Sequence, residues 1–352
     1  MGFNPSFMRI AELIAPHRFL LVDGEIAPPA AGELQVRVDA VGICGSDLHS
    51  YSEGSVGDTP AVYPMVLGHE PAGTVVRVGA GVTGWQVGDR AALEPALYCY
   101  HCEYCRAGRH NVCANIRFLS TPGNAGFFRE FVNLPPTNLL AIPPTLPLEL
   151  AALVEPLAVA VHSLKLSSPK SSETVAVWGA GAIGLLTVAS LKVAGVKRIW
   201  AVDPVPHRRE LARHLGADAA IDPAQVDVVK QLHADTGGRG VDLAIDCAAK
   251  EDTVNQAFHA VCNAGRVALT GIHSGALVPF DTSNMRRKEV TLFNVRRSND
   301  ESPEALAMIA ERPAWFAPIV THRRSLEDIG DAFEIAESYR DGVGKMMVVG
   351  GH

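Results

Sequence analysis

Along QVRVDAV (residues 35–41) apolar and polar positions alternate, so Val36, Val38 and Ala40 fall on one face of an extended chain. TVVRVG and VGDRAAL repeat the habit, and valine, glycine and proline are frequent through the first 150 or so residues. This pattern predicts an irregular β domain. From about residue 174 the rhythm changes. TVAVWG, RIWAVD, AAID, VDLAID, RVALTGI and EVTLFNV read as short apolar strands. Between several of them stand helical stretches: PHRRELARHLG (206–216), closed by a glycine, and DTVNQAFHAVCNAG (252–265). Strands alternating with helices of this length predict an α/β fold with a parallel, doubly wound sheet. A helical PEALAMIAER and a strand-like KMMVVGG complete the chain, with no internal repeat and no low-complexity linker.

One stretch, TVAVWGAGAIGLLTVASL (174–191), carries no charge and has the hydropathy of a membrane span. Its glycines would then sit in mid-helix, where each costs about 1 kcal/mol relative to alanine. Its first half is strand-like and its second half helical, so a buried strand, a turn and a packed helix are expected instead. The N-terminal MGFNPSFMRIAELIAPHR has no long apolar run ending in a small-residue cleavage site, which argues against a signal peptide. The chain therefore reads as soluble and cytoplasmic, without a membrane partner. Its 352 residues suffice for two domains, and 47% hydrophobic against 20% charged residues favours a sizeable core over disorder. A net charge of −7 argues against an extended nucleic-acid surface. Arg286-Arg287-Lys288 and Arg323-Arg324 are too short to change this and read as solvated faces.

Gly179, Gly181 and Gly184 form G-x-G-x-x-G directly after the strand TVAVW and at the start of a helix. The first glycine permits a tight turn, the second lets a pyrophosphate approach the backbone, and the third allows close helix–strand packing. The helix start offers free N–H groups to the phosphates. The next strand ends at Asp203, about 20 residues beyond the last glycine, where an acid binds ribose hydroxyls. Its charge repels a 2′-phosphate and so favours NAD over NADP; Arg208 and Arg209 close behind weaken that preference.

The loudest motif is YCYHCEYCRAGRHNVC (98–113), in which Cys99, Cys102, Cys105 and Cys113 are spaced C-x2-C-x2-C-x7-C. Four thiolates can enclose a zinc ion tetrahedrally. A disulfide pairing is disfavoured without a secretory signal, and an iron–sulfur cluster is the other rival. His101 and His110 are spare donors, since four cysteines already fill a shell. A filled shell leaves no vacancy for a substrate, so the motif reads as structural. Quieter candidates are scattered: Cys44 and His49 in VGICGSDLHSY, His69-Glu70 in MVLGHEPAG and Glu155 in LVEPLAV.

GICGSDLH, GHEPAG, the four-cysteine loop, LVEPLAV and GAGAIG stand in the order of the zinc-containing medium-chain dehydrogenases. From about residue 8 onward the chain most resembles their polyol (sorbitol and xylitol) branch. The resemblance implies a GroES-like, irregular β-barrel catalytic domain over residues 1–158 and 295–352, with a Rossmann domain over 159–294. It implies a catalytic zinc held by Cys44, His69 and Glu70, with Glu155 ligating it directly or through water, and a structural zinc in the cysteine loop. Asp47 matches an acid that orients the histidine ligand. Cys247 and Cys262 match no ligand position and read as buried small hydrophobes. Contacts to NAD extend from the glycines and Asp203 to Ile183, Arg208, Gly271, Ile272 and Val295. Ser46 would take the proton of the substrate hydroxyl and His49 would pass it on, while hydride goes to the nicotinamide. A homodimer or homotetramer is the family habit.

The chain also departs from that branch. Where polyol dehydrogenases carry a substrate-side tyrosine it has Ser50, with the tyrosine displaced to Tyr51. Where they carry Phe-Arg-Tyr it has Arg296-Arg297-Ser298. The arginine is kept, a tyrosine is lost and a second positive charge is added, which suits a carboxylate or phosphate. The expected substrate is therefore a polyol or sugar, whether neutral, acidic or phosphorylated, and not necessarily sorbitol. The rivals are a secondary-alcohol or threonine-type dehydrogenase and a zinc-stabilised protein that binds NAD without turnover. Cys44, Ser46, His69, Glu70 and Glu155 together count against the last, which needs none of them.

Overall fold

The structure is a computed structural model that describes residues 7–250, 252–275 and 277–350. The first six residues of the stretch read for a leader, and the last glycine of KMMVVGG, lie outside the described residues. The chain divides after Glu155 and again before Ser302 into one unit built from both ends and a second unit from the middle. The expected boundaries fall a few residues away. Helix Val154–Ser167 runs without a break past residue 158. The stretch after 295 stays tied to the middle unit, where Val295 N–H donates to the Leu269 carbonyl and Glu301 reaches His162.

The first unit is built on a sheet in the order Leu139–Ala141, Arg90–Leu93, Glu70–Val78, Leu34–Gly42, Lys345–Val349, Val320–Ser325. Phe131–Leu134 also pairs with Leu34–Gly42. The strand Leu34–Gly42 was expected to bury alternate residues, yet all but Arg37 are buried. It is a central strand covered on both faces. Its polar members survive there because they are paired: Gln35 Nε2 donates to the Ala27 carbonyl at 2.9 Å, and Asp39 accepts from Arg37 Nε and Thr74 Oγ1, both at 2.6 Å. The strand Lys345–Val349 docks antiparallel on it, Val348 facing Val41. The C-terminal segment is thus structurally part of a domain begun at the other end. Its core gathers Leu34, Val36, Phe127, Phe128, Tyr51, Phe333 and Met346.

The second unit holds the predicted parallel sheet, in the order Ala219–Ile221, Arg198–Val202, Thr174–Trp178, Val241–Asp246, Val261–Leu269, Thr291–Asn294. The order reverses beside Thr174–Trp178, the switch point at which doubly wound sheets bind ligands. Residues 174–191 are a strand followed by helix Ala182–Val193, as expected. Among the described residues the helical stretch long and apolar enough to span a bilayer is instead Leu148–Ser167, and 83% of its apolar window is buried in the protein. The helix expected over 252–265 ends early, at Ala260. From Val261 the chain is extended and pairs with Val241; Ala264 turns left-handed (φ 56°), and the register resumes at Leu243–Arg266. Tertiary pairing overrides the helical pattern there.

Candidate active site

In the cysteine loop the four sulfurs converge, with Cys99–Cys105, Cys102–Cys113 and Cys99–Cys113 Sγ separations of 4.0, 3.9 and 3.4 Å. These are far from the about 2 Å of a disulfide. They lie around the about 3.8 Å edge of a tetrahedron with zinc–sulfur bonds of about 2.3 Å. Cys102 caps the short helix Glu103–Arg106, and backbone N–H groups of Cys99, Cys102, Cys105 and Asn115 point at sulfurs from 3.4–3.5 Å. The N–H groups of His101 and Cys102 help hold the Cys99 thiol down at about 5, while burial pushes Cys105 up to about 12. Four crowded thiols cannot all ionise without a cation among them. The donor set therefore fits a closed zinc site.

A second group of donors brings together Cys44, His69 and Glu70, whose ligand atoms lie within 4.8 Å of one another. Cys44 caps the N-terminus of helix Gly45–Ser52, and its N–H donates to Asp47 Oδ2 at 3.1 Å. The other oxygen of the buried Asp47 accepts from Gly68 N–H (3.2 Å) and Ser120 Oγ (3.1 Å) and lies 3.3 Å from His69 Nδ1. Burial resists ionisation of Asp47, but the His69 charge and these bonds leave its carboxyl below the usual range. Nε2 of His69 is thereby left to the site, 3.4 Å from Ser46 Oγ. Glu70 opens strand Glu70–Val78 and meets the ammonium of Lys345, which also donates to the Ile43 carbonyl at 2.8 Å. Both charges are almost fully buried. Gly42 makes room for them, since a Cβ there would run into Glu70 Oε2 and Lys345 Cε.

Glu155 lies in the first turn of helix Val154–Ser167, outside that trio but in its field. Burial, with Glu70 and Glu94 nearby, pushes its carboxyl up to about 8 against the pull of His69 and Lys345. A thiolate, an imidazole and a carboxylate, the three-donor set of an open site, fit a catalytic zinc. His49 turns along its helix to Glu53, with Nδ1 2.9 Å from Oε1.

Tyr51 corrects the sequence reading. It is 1% exposed and packs among His17, Phe19 and Phe333, so it is a core residue in place of the substrate-side residue expected. On the helix Ser46, His49 and Ser50 recur at intervals of three and four and share a face; Tyr51 is turned about 100° from Ser50, onto the core side. Ser50 is itself 5% exposed and shows little surface. Lys345 and Glu94 were missed altogether: each reads locally as a lone charge beside an apolar stretch. Of the departing triplet, Arg296 is exposed, Arg297 half-buried and Ser298 buried.

In the second unit the three glycines of the turn meet different surroundings. Gly179 is left-handed (φ 84°) and a Cβ would press on the Ala248 backbone at 2.8 Å; a Cβ on Gly184 would strike the Gly179 carbonyl. Beside Gly181, the N-cap of helix Ala182–Val193, a Cβ would meet nothing within 4 Å, which is the space a pyrophosphate would use. Ile183 lies in the helix's first turn, and Gly179, Asp203, Gly271, Ile272 and Val295 all follow the carboxyl ends of parallel strands. The Asp203 carboxylate accepts from Ala180 N–H and Val205 N–H, both at 2.8 Å, so it braces the glycine turn and keeps further lone pairs for hydroxyls. Arg209 is held by Asp222 at 2.9 Å and by the Asp203 carbonyl at 2.7 Å. Cys262 is buried as expected, whereas Cys247 is only half-buried, its thiol raised to about 12 chiefly by desolvation and lying 3.7 Å from Thr187 Oγ1.

Comparison with known proteins agrees with this geometry. Residues 30–144 match the alcohol dehydrogenase GroES-like domain family, and residues 182–311 match the zinc-binding dehydrogenase family. Sorbitol dehydrogenase of Bacillus subtilis (strain 168) is 34% identical over 316 residues, 90% of this chain and 90% of that protein. An Escherichia coli oxidoreductase/dehydrogenase of unknown specificity superposes with a TM-score of 0.91 at 30% identity, covering 98% of this chain and 100% of its own. Galactitol-1-phosphate dehydrogenase from Escherichia coli gives 0.88 at 25% identity, covering 97% and 99%. The chain thus belongs to the zinc-containing medium-chain dehydrogenases, near their polyol branch, and is a zinc- and NAD-dependent oxidoreductase with a GroES-like and a Rossmann domain.

Proposed function

We propose that the chain oxidises a secondary alcohol of an acidic or phosphorylated polyol or sugar, and runs the reverse reduction, with NAD(H) as hydride partner. The convergence of Cys44, His69 and Glu70 within 4.8 Å carries the reading. A zinc ion bound there supplies the Lewis acidity that lowers the pKa of a substrate hydroxyl or polarises a carbonyl. Asp47 fixes the tautomer and orientation of His69, and Lys345 holds Glu70 from behind. Ser46 takes the hydroxyl proton and His49, partly exposed, hands it towards solvent. Glu155 completes the acidic side of the site. The glycine turn and Asp203 hold the dinucleotide whose nicotinamide accepts the hydride.

Arg296 and Arg297 favour an anionic group on the substrate, because guanidinium groups bind carboxylate and phosphate bidentately. The similar galactitol-1-phosphate dehydrogenase carries a phosphorylated polyol in its name. The test mixes zinc-loaded protein and NAD with neutral polyols, sugar acids and sugar phosphates and follows NADH absorbance. Arg297→Ala is expected to lower kcat/KM for anionic substrates by about 10- to 100-fold, the size of a lost charged hydrogen bond, with a smaller change for neutral ones. Equal losses would remove the anion from the proposal. Full zinc loading with no NADH from any alcohol would favour a binding protein.

A further inference from the structure

The turn that carries the two arginines holds a conformation that its own residues do not favour. Arg297 (φ 54°) and Asp300 (φ 67°) are both left-handed without being glycine, a state that costs about 1–2 kcal/mol each and persists where the surroundings impose it. At its start, Val295 N–H is tied to the Leu269 carbonyl at 3.0 Å. At its end stands Glu301, whose carboxylate is 3% exposed. Glu301 Oε2 accepts the N–H of Asn299, inside the turn. Its Oε1 lies 3.2 Å from His162 Nδ1 and 3.5 Å from Lys165 Nζ.

His162 and Lys165 are three residues apart on one face of helix Val154–Ser167. Glu155, seven residues before His162, stands two turns up the same face. Only an ionised carboxylate offers enough acceptor sites to serve the Asn299 N–H, the imidazole and the ammonium together; an amide has one oxygen. Charge at this buried spot is costly unless paired, and here it is paired on both oxygens.

We propose that Glu301 is a positioning residue that sets Arg297 for the substrate's anionic group, with His162 and Lys165 as its anchors. It acts through the turn and does not itself meet the substrate. The inference rests on the reading that Arg297 receives an anion, so its test must tell the two apart.

The probes are galactitol 1-phosphate against galactitol in steady-state turnover, and inorganic phosphate in calorimetric binding to the zinc- and NAD-loaded protein. Glu301→Gln should raise KM for the phosphorylated polyol about tenfold with kcat within twofold, weaken inorganic phosphate to a similar degree, and cost galactitol less than threefold. Added to Arg297→Ala, it should produce no further selective loss, and Glu301→Asp should recover part of the single-variant effect. His162→Gln gives the same reading should Glu301→Gln fold poorly. If Arg297→Ala discriminates between the substrates but Glu301→Gln lowers both alike, or adds in full on Arg297→Ala, Glu301 is merely structural and the inference falls alone. If Arg297→Ala does not discriminate, or the wild type recognises neither phosphate nor its ester, the anionic reading falls and takes this one with it.

Discussion

Tyr51 stacks on Phe19 at 5.7 Å between ring centroids, meets His17 edge-on at 4.6 Å and tilts against Phe333 at 4.9 Å. Its ring is worth more to the core than its hydroxyl is to chemistry. Tyr51→Phe should therefore leave kcat/KM unchanged, whereas Tyr51→Ala should cost about 3–5 kcal/mol of stability, read from denaturant midpoints. A loss of turnover in Tyr51→Phe would return the residue to the substrate site. Cys44, His69 and Glu70 came together in the sequence only through the family resemblance that GICGSDLH and GHEPAG carry, since taken singly a lone cysteine or histidine is more often structural. Lys345 was not legible, since its partner carbonyl at Ile43 is 302 positions away and nothing near either residue announces the other.

The parallel strands show how far a local pattern carries. The apolar runs of Arg198–Val202, Thr174–Trp178 and Val241–Asp246 are legible because these three are buried on both faces, whereas the edge strand Thr291–Asn294 is largely exposed or half-buried. The strand Leu34–Gly42 was read as one-sided since its polar residues suggested water, when in fact Gln35 and Asp39 find partners inside. Asp242 joins two of the parallel strands: it accepts from Thr174 N–H at 2.9 Å, Thr174 Oγ1 at 2.8 Å and Arg239 Nη2 at 2.6 Å. Burial raises its carboxyl pKa, but these bonds outweigh that and leave it below the usual value of 3.8. A folded pKa below the unfolded one means a stabilisation present above about pH 4 and lost as pH falls through the folded value. Asp242→Asn should thus cost about 1–2 kcal/mol at pH 7, and its Tm deficit against wild type should shrink only once pH falls below 3.8. A deficit independent of pH would show that the carboxylate's charge is not what joins the strands.

For the protein as a whole, the two donor clusters should separate stability from turnover. Cys105→Ala should release one zinc and lower Tm by roughly 10 °C, at a few degrees per kcal/mol in a domain of this size. Cys44→Ala should abolish turnover with Tm nearly kept, and metal analysis should again find one zinc lost. If Cys105→Ala left Tm unchanged and removed activity, the two assignments would have to be exchanged. Spacing alone was enough for the closed cysteine site, the glycine turn and the strand–helix alternation, because each depends on neighbours within a few turns of chain and backbone geometry there is set locally. What the local chain could not settle was which side chains meet across long separations: the burial of Tyr51, the Lys345 charge behind Glu70, and Glu301 reaching His162 139 positions away. Those pairings are chosen by packing and by the need to neutralise buried charge, and both exist only once the chain has closed on itself.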